Sequence, residues 1–440
     1  MGDSFALLMF PALLCALFLG FPVAFSMMGV ALFFGLVTFD TAVIFQFVQK
    51  VDTVASDFVL AAVPLFIFMG AMLERSGIAE QLFEAIHLWT RRLPGGLAVG
   101  TIVMCVIFAA SSGVIGATET VVGLLAIPVM MKYAYNKGLI SGTICAGGSL
   151  GTIIPPSVVV VVLGPVANVS VGDLFVGMIF PGLIMAGLYV GYILIRCTLN
   201  PTFGPALPPS DDDPPLLDKI RITLIALAPP VAMIVAVLGS IMFGLAAPTE
   251  AAALGALGAI VLALFYRQLT LTVLHEAVLK TLKVTCMIII ILLGGNMFAG
   301  VFVASGGVSV AEELIRTAQL SPWATMAVFL GICFLAGFVL DWISVLLIFI
   351  PVFMPIVKTM GFDPVWFCVM FLVVIQTSYL TPPMAPAIFY LRGISPPEIS
   401  LRDMFRGVIP FILLQIFCLI IVACFPQVVL WLPTQMLGFR

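Results

Sequence analysis

The chain contains itself twice, which restricts it to folds built from two related halves. Ser170, Asp173, Phe175 and Gly177 (S-x-x-D-x-F-x-G) return as Ser400, Asp403, Phe405 and Gly407, each displaced by 230 residues. Other landmarks follow at nearly the same offset. Gly77 maps to Gly306 and Gly164 to Gly393 (229), Pro155-Pro156 to Pro382-Pro383 (227), Pro22 and Gly29 to Pro248 and Gly255 (226), and Pro128 to Pro351 (223). Paired, interrupted hydrophobic segments at matching places in two halves point to the binding site of a secondary transporter.

With 62% hydrophobic and 9% charged residues, the chain departs from soluble domains, where about 25% of residues are charged. Its apolar runs reach the roughly 20 residues that a bilayer-crossing helix needs. Strand-like alternation is absent, which argues against a β-barrel. The expected class is therefore an all-α polytopic membrane protein with inverted-topology repeats. Each repeat carries a re-entrant helical hairpin and a proline-broken helix. The N-terminus lacks the basic region and cleavage site of a secretory signal. Nine cysteines without CxxC spacing suggest neither disulfides nor zinc. His87 and His275 read as interfacial loop histidines.

Spans are expected near 5–20, 22–37, 57–73, 140–163, 178–198, 220–243, 248–266, 283–303, 365–391 and 407–431, with hairpins at 94–131 and 322–357. The arms of the first hairpin, 94–110 and 117–131, would be about 25 and 22 Å long at 1.5 Å per residue. Both fall short of a hydrocarbon core about 30 Å thick. The join Ser111-Ser112-Gly113-Val114-Ile115-Gly116 reads as a turn inside the membrane; two ordinary short spans are the alternative. The first repeat then covers 1–198 with its broken helix at 140–163. The second covers 219–440 with its broken helix at 365–391. The stretch 199–218, rich in Pro and Asp, is expected to be an extended linker.

Five spans per half force the two copies into opposite orientations. That threading puts 14 of the 18 Lys and Arg residues on one face, leaving Lys50, Arg316, Lys358 and Arg440 on the other. Positive charge marks the cytoplasm. Both termini are therefore expected outside, and the linker inside.

Polar backbone at membrane depth must line a cavity or be buried in protein. Four stretches need that explanation: Ser111 to Thr120, Gly147 to Ser157, Gly337 to Ser344, and Gln376 to Pro383. A mid-span double proline removes donors and blocks the preceding turn. It should free carbonyls around 151–154 and 377–380, with new helix starts near Ser157 and Met384. Freed carbonyls suit a small cation, and new helix N-termini suit a carboxylate. Two such sets predict two cation sites flanking one organic anion. Two acids, Glu119 and Asp341, lie in apolar context at the tips. Helix-start stabilisation, cation coupling and proton relay are all open for them. Glu250, after Pro248, reads as a helix-start residue.

Ala246-Ala247-Pro248-Thr249-Glu250-Ala251, Gly151-x-x-Ile154-Pro155-Pro156-Ser157 with Gly164, and Thr381-Pro382-Pro383 together resemble the large membrane (M, DctM-like) subunit of tripartite ATP-independent periplasmic (TRAP) transporters. The likeness covers essentially the whole chain. It implies a sodium-coupled importer of small organic acids in a bacterial inner membrane, working by an elevator mechanism in which the hairpins and broken helices move against the remaining spans. It also implies a small membrane subunit (Q) and a periplasmic solute-binding protein (P). No cofactor is implied beyond Na+ as coupling ion, nor any nucleic-acid partner or enzymatic activity. Carried over by position, one sodium site would use Ser111, Ser112 and Gly113 with Gly151, Ile154 and Pro155. The other would use Gly337 and Asp341 with Thr377, Thr381 and Pro382. Thr118, Ser157, Ser344 and Thr381 are the corresponding substrate candidates. The first tip departs from the Ser-Gly-Ser of many sialate and dicarboxylate members, leaves the substrate open, and resembles the branch associated with 2-oxo acids. A stand-alone cation-coupled carboxylate symporter is the alternative. An ATP-driven importer would need a partner ATPase, since the chain has no G-x-x-x-x-G-K-[ST].

Overall fold

The computed structural model describes residues 3–112, 116–207, 214–383 and 385–437. Its ordered elements are helical, as a bilayer requires of any open chain: only a helix satisfies each backbone group within its own segment. The first half runs through α1 (Met9–Phe18), α2 (Val23–Phe39), α3 (Ala42–Ser56), α4 (Ala62–Glu74), α5 (Ile78–Thr90), α6 (Gly96–Ser112), α7 (Ala117–Lys132), α8 (Lys137–Ser149), α9 (Val158–Ala167) and α10 (Val171–Leu199). The second half runs through α11 (Leu216–Met242), α12 (Pro248–Phe265), α13 (Leu271–Ala304), α14 (Gly307–Thr317), α15 (Pro322–Ala336), α16 (Trp342–Thr359), α17 (Pro364–Leu380), α18 (Pro386–Ile394), α19 (Leu401–Cys424) and α20 (Gln427–Leu437).

The order recurs. A long helix or bent pair leads to a short surface helix, a hairpin, a broken helix and a long closing helix. The landmarks that match in sequence do matching structural work. Gly77 and Gly306 both take left-handed φ, +69° and +81°, at the starts of α5 and α14, where a side chain would be strained. Ser170 accepts a hydrogen bond from the Asp173 N–H, and Ser400 does the same for Asp403. The recurring S-x-x-D is therefore a helix-start device for α10 and α19.

One difference between the halves has a local cause. α3 and α4 meet at a 52° bend, where Asp57 caps the intervening 3-10 turn through the Val59 N–H at 2.9 Å and Pro64 follows. The corresponding part of α13 carries Cys286 and Leu293, and α13 continues unbroken for 34 residues, about 51 Å.

Six helices are long and apolar enough to cross a membrane, or up to seven if the bent pair counts as one span. Ten spans were expected. The difference arises because the broken spans divide into shorter pieces and α1 and α2 are only 10 and 17 residues long.

Packing sorts the helices into two groups. α1–α5 and α11–α14 form an outer group in which α4 lies along α12 and α13 along α2. The inner group centres on α8 and α17, buried throughout Leu139–Ser149 and Val365–Ser378 respectively. Neither has a charged residue in its buried stretch: α17 is largely apolar and α8 is made of small and apolar residues with Ser141, Thr143 and Ser149, as helices with no lipid face can be. The spans corresponding to α10 and α19 were expected in the scaffold. Instead both pack in the inner group, α19 against α8 and α17, α10 against α9, α17 and α19. Glycines set the closest crossing, where Gly138 and Gly142 of α8 meet Gly407 of α19.

The linker also differs from expectation. Residues 200–207 fold back onto the inner group. Gly95 N–H donates to the Gly204 carbonyl (2.8 Å), Asn136 N–H to Phe203 (2.9 Å) and Leu207 N–H to Arg91 (2.9 Å). Phe203 lies under the Arg196 guanidinium at 4.2 Å. An apolar Phe and Leu outweigh the neighbouring prolines there. Residues 208–213 lie outside the described residues. His87 and His275 are on helices α5 and α13, not loops. His87 stacks on Phe83 one turn earlier, and burial together with the nearby Arg91 charge pushes its pKa down.

Candidate functional site

Helices end before Pro155-Pro156 and before Pro382-Pro383, as expected from their sequence. α8 closes in a 3-10 turn, Leu150–Thr152, and helix resumes only at Val158. α17 closes at Leu380 and helix resumes at Pro386. Pro155-Pro156 and Pro382-Pro383 are both cis. Among the described residues, no backbone or side-chain donor bonds the carbonyls of 151–156 or of 379–383. Residues 150–157 are buried nonetheless. A row of acceptors without donors, inside protein, is an arrangement that invites a cation.

Each hairpin meets the break of its own half. The C-terminal end of α6 packs on Leu150–Thr152, with Ala109 facing Gly151. Ser111 and Ser112 are the last residues of α6, and Gly113 lies outside the described residues. Ile154 and Pro155 sit buried in the break. In the second half Gly337 follows α15, and any side chain there would collide with Ser378 of α17. Thr377 and Thr381 face their own helix, with Thr377 Oγ1 donating to Val373 O (2.7 Å) and Thr381 Oγ1 to Thr377 O (2.7 Å). Pro382 lies in the exposed part of this break.

The halves also exchange contacts. α9 packs on α16 of the second hairpin, and α18 packs on α7 of the first. Each pair joins a helix that follows a break to a helix of the other half's hairpin. Ser157 precedes α9 with extended backbone, yet its buried hydroxyl bonds neither that helix nor any other described group. Thr118 is buried in the first turn of α7. Ser344 is spoken for: its hydroxyl donates to Asp341. Met384, near which a helix start was expected, lies outside the described residues; Pro386 begins α18. A cavity of about 330 Å³ opens beside the second tip, between Gly337, Asp341, Ser378, Tyr379, Tyr390 and Ile291 of α13. It lies where the inner group meets the outer one.

The two tip acids part company. Asp341 caps α16, its carboxylate accepting from the Ile343 N–H (3.1 Å) and from Ser344, which is the helix-start role. Glu119 makes no such bond to its own helix. Its Cγ occupies the space a Gly148 side chain would need, and Tyr379 OH donates to its Oε2 at 3.4 Å. Glu250 caps α12 as expected, accepting from the Ala247 N–H at 2.8 Å.

A buried polar cluster between the two breaks was not fully foreseen. Gln376 Nε2 donates to Ser149 Oγ (3.0 Å), and Thr152 Oγ1 donates to Gln376 Oε1 (3.3 Å). Gln415 Nε2 reaches Tyr189 OH (2.8 Å) and Ser149 Oγ (3.3 Å). Ser149, Thr152 and Gln376 fall in the polar stretches already noted. Tyr189 and Gln415 do not, although a lone glutamine in the apolar run of α19 is a signal that could have found it.

Residues 10–428 match the family model described as "Tripartite ATP-independent periplasmic transporter, DctM component". The chain is 30% identical over 387 residues to the C4-dicarboxylate TRAP transporter large permease protein DctM of Pseudomonas aeruginosa, covering 87% of this chain and 88% of that protein. It is 28% identical over 424 residues to the sialic acid TRAP transporter large permease protein SiaM of Vibrio cholerae, covering 96% and 97%. Among solved structures, the YdaH transporter of Alcanivorax borkumensis superposes with a TM-score of 0.69 at 13% identity, covering 96% of this chain and 98% of that one. That likeness concerns the fold.

Proposed function

The chain belongs to the tripartite ATP-independent periplasmic transporter family as a DctM component, and on that premise we propose that it imports small organic acids using a sodium gradient. The observation that carries the reading is the pair of carbonyl rows that no described donor bonds, the first buried and the second partly exposed, each against a hairpin tip of its own half. Sodium needs oxygen ligands in place of its hydration shell, and unwound backbone in a discontinuous membrane helix is a source of them. The first ion would be held by Gly151, Ile154 and Pro155 with the tip at Ser111, Ser112 and Gly113. The second would be held by Gly337, Asp341, Thr377, Thr381 and Pro382. A carboxylate would lie between, near the starts of α7, α9 and α16, where Thr118, Ser157 and Ser344 stand and the partial positive charge of each helix favours an anion, with Thr381 at the end of α17 as a further hydroxyl.

Coupling requires both ligands to favour the same carrier state, since a ligand shifts an equilibrium only by its differential affinity. The division into inner and outer groups supports an elevator movement in which α6–α10 and α15–α19 travel against α1–α5 and α11–α14. The partners would be a small membrane subunit and a periplasmic solute-binding protein. The excess of Lys and Arg on one face supports placing both termini in the periplasm and residues 199–218 in the cytoplasm.

The test is uptake into proteoliposomes containing this chain and its small membrane subunit, with the binding protein outside. Radiolabelled C4-dicarboxylates and sialic acid are the first probes, because relatives are named for them. Uptake should collapse when sodium is replaced by potassium, and persist without ATP. Uptake indifferent to sodium, or dependent on ATP, refutes the reading.

A further inference from the structure

Glu119 is placed as a structural carboxylate would not be. It is 0% exposed. Its Oε1 has no hydrogen-bond partner, and its Oε2 has the Tyr379 hydroxyl at the long distance of 3.4 Å. No lysine or arginine pairs with it among the described residues. The titratable groups facing it are Cys105 from α6, Cys145 from α8 and Tyr379 from α17. Tyr390 from α18 stands beyond, over Gly116. From α5, Glu80, Glu84 and His87 make no hydrogen bond or ion pair to it. An isolated carboxylate cannot be held in such a place at tolerable cost; the group binds a countercharge or neutralises. A sodium ion would need several oxygens, and the groups that face this carboxyl include two thiols, a glycine backbone and one phenol. A proton needs one lone pair, and Oε1 has a free one.

We propose that Glu119 is a proton-binding site in the moving part of the carrier, separate from the two sodium sites. The proton is bound in the arrangement seen here and released when the first hairpin parts from α17. The geometry supplies the switch. Glu119 belongs to hairpin α6–α7 of the first half, whereas Tyr379 stands at the end of α17 in the second. An opening within the inner group, distinct from the travel of that group against the outer one, that took the hairpin away from Gly148 and Tyr379 would admit water to the carboxyl. The proton then passes to water, leaving a hydrated carboxylate, and it returns from hydronium before the gap closes. The consequence is that transport responds to pH through one named side chain. This inference rests on the carrier reading for its functional meaning, but its decisive measurement does not require sodium coupling.

That measurement is infrared difference spectroscopy between acidic and alkaline buffer on the chain reconstituted with its small membrane subunit, comparing wild type with Glu119→Gln. Glutamine keeps the shape and still accepts from Tyr379, so folding is preserved. The expected result is a protonated-carboxyl C=O band that is lost on alkalinisation in wild type and absent in Glu119→Gln. A band that never titrates, or wild-type and Glu119→Gln spectra that coincide, overturns the proposal and leaves Glu119 a packing group. A second arm applies a sodium concentration jump, with choline as the control, to membranes on a solid support. The charge signal should depend on pH in wild type and lose that dependence in Glu119→Gln; equal pH dependence in both also overturns it. No sodium signal in either protein would count against sodium coupling alone, and the infrared result would still decide the proton site.

Discussion

Replacing Gln376 by leucine tests whether the polar cluster ties the two broken helices together. The side chain is fully buried and joins three helices, through Ser149 Oγ at 3.0 Å, Thr152 Oγ1 at 3.3 Å and Met185 Sδ at 3.2 Å. Leucine has nearly the same volume, so cavity terms are small. The loss is then the bonds themselves, and side-chain bonds between membrane helices average about 0.6 kcal/mol. No large penalty is added, because the remaining hydroxyls keep partners. Thr152 Oγ1 still donates to Ser149 O (2.9 Å), and Ser149 Oγ to Ala146 O (2.8 Å). Gln376→Leu should therefore cost about 1–2 kcal/mol, below the range for stranding a buried charge. The sharper quantity is the coupling in a double-mutant cycle with Ser149→Ala, expected between about 0.6 and 1.7 kcal/mol. Thr377→Val provides the control, since that hydroxyl bonds only its own helix at Val373, and its coupling to Ser149 should be near zero. Equilibrium unfolding in mixed micelles measures all four corners. A Ser149–Gln376 coupling no larger than the Thr377 control would refute the claim that this cluster links the halves.

Two further outcomes follow from the packing and the helix starts. Gly142→Ala would place a methyl 2.7 Å from the Gly407 carbonyl carbon and 2.8 Å from a Phe411 ring carbon, and should lower stability by about 1–3 kcal/mol; Gly187→Ala on α10, with open space around it, should be neutral or stabilising in the same thermal assay. Ser400→Ala should cost about 1 kcal/mol at neutral pH by removing the cap of α19. The Ser400 hydroxyl and N–H hold the Asp403 carboxyl below the ordinary aspartate range, so their contribution is present above that range and is lost as pH falls through the depressed value. The gap between wild type and variant should narrow on acidification, and a gap independent of pH would contradict the assignment.

Reading the sequence located the broken helices because proline removes a donor and crowds the preceding turn, at Pro155-Pro156 and Pro382-Pro383 within stretches already rich in glycine, serine or threonine; α11, by contrast, runs unbroken through Pro229-Pro230. The helix pairs α6–α7 and α15–α16 stand where the hairpins were expected; the first has short arms, whereas α16, at 18 residues, is long and apolar enough to cross a membrane. Where the reading erred, distant packing outweighed local composition. Residues 200–207 look like linker and yet fold back through Phe203 and Leu207, because Arg91, Gly95 and Asn136 offer backbone partners there. α10 and α19 look like scaffold spans, but small residues on α8 let α19 approach closely, and α10 packs on α6, α9, α17 and α19.

The two tip acids mark the boundary most clearly. By itself the sequence determined the repeat, the breaks and the membrane setting, because these follow from sterics and hydropathy within a few residues. It presented Glu119 and Asp341 as near equivalents. Only the tertiary structure separated them. Asp341 meets its own helix start, whereas Glu119 is turned toward Gly148 and toward Tyr379, 260 residues away. A side chain's partners at that distance are set by how helices stack, and stacking is a property of the assembled bundle.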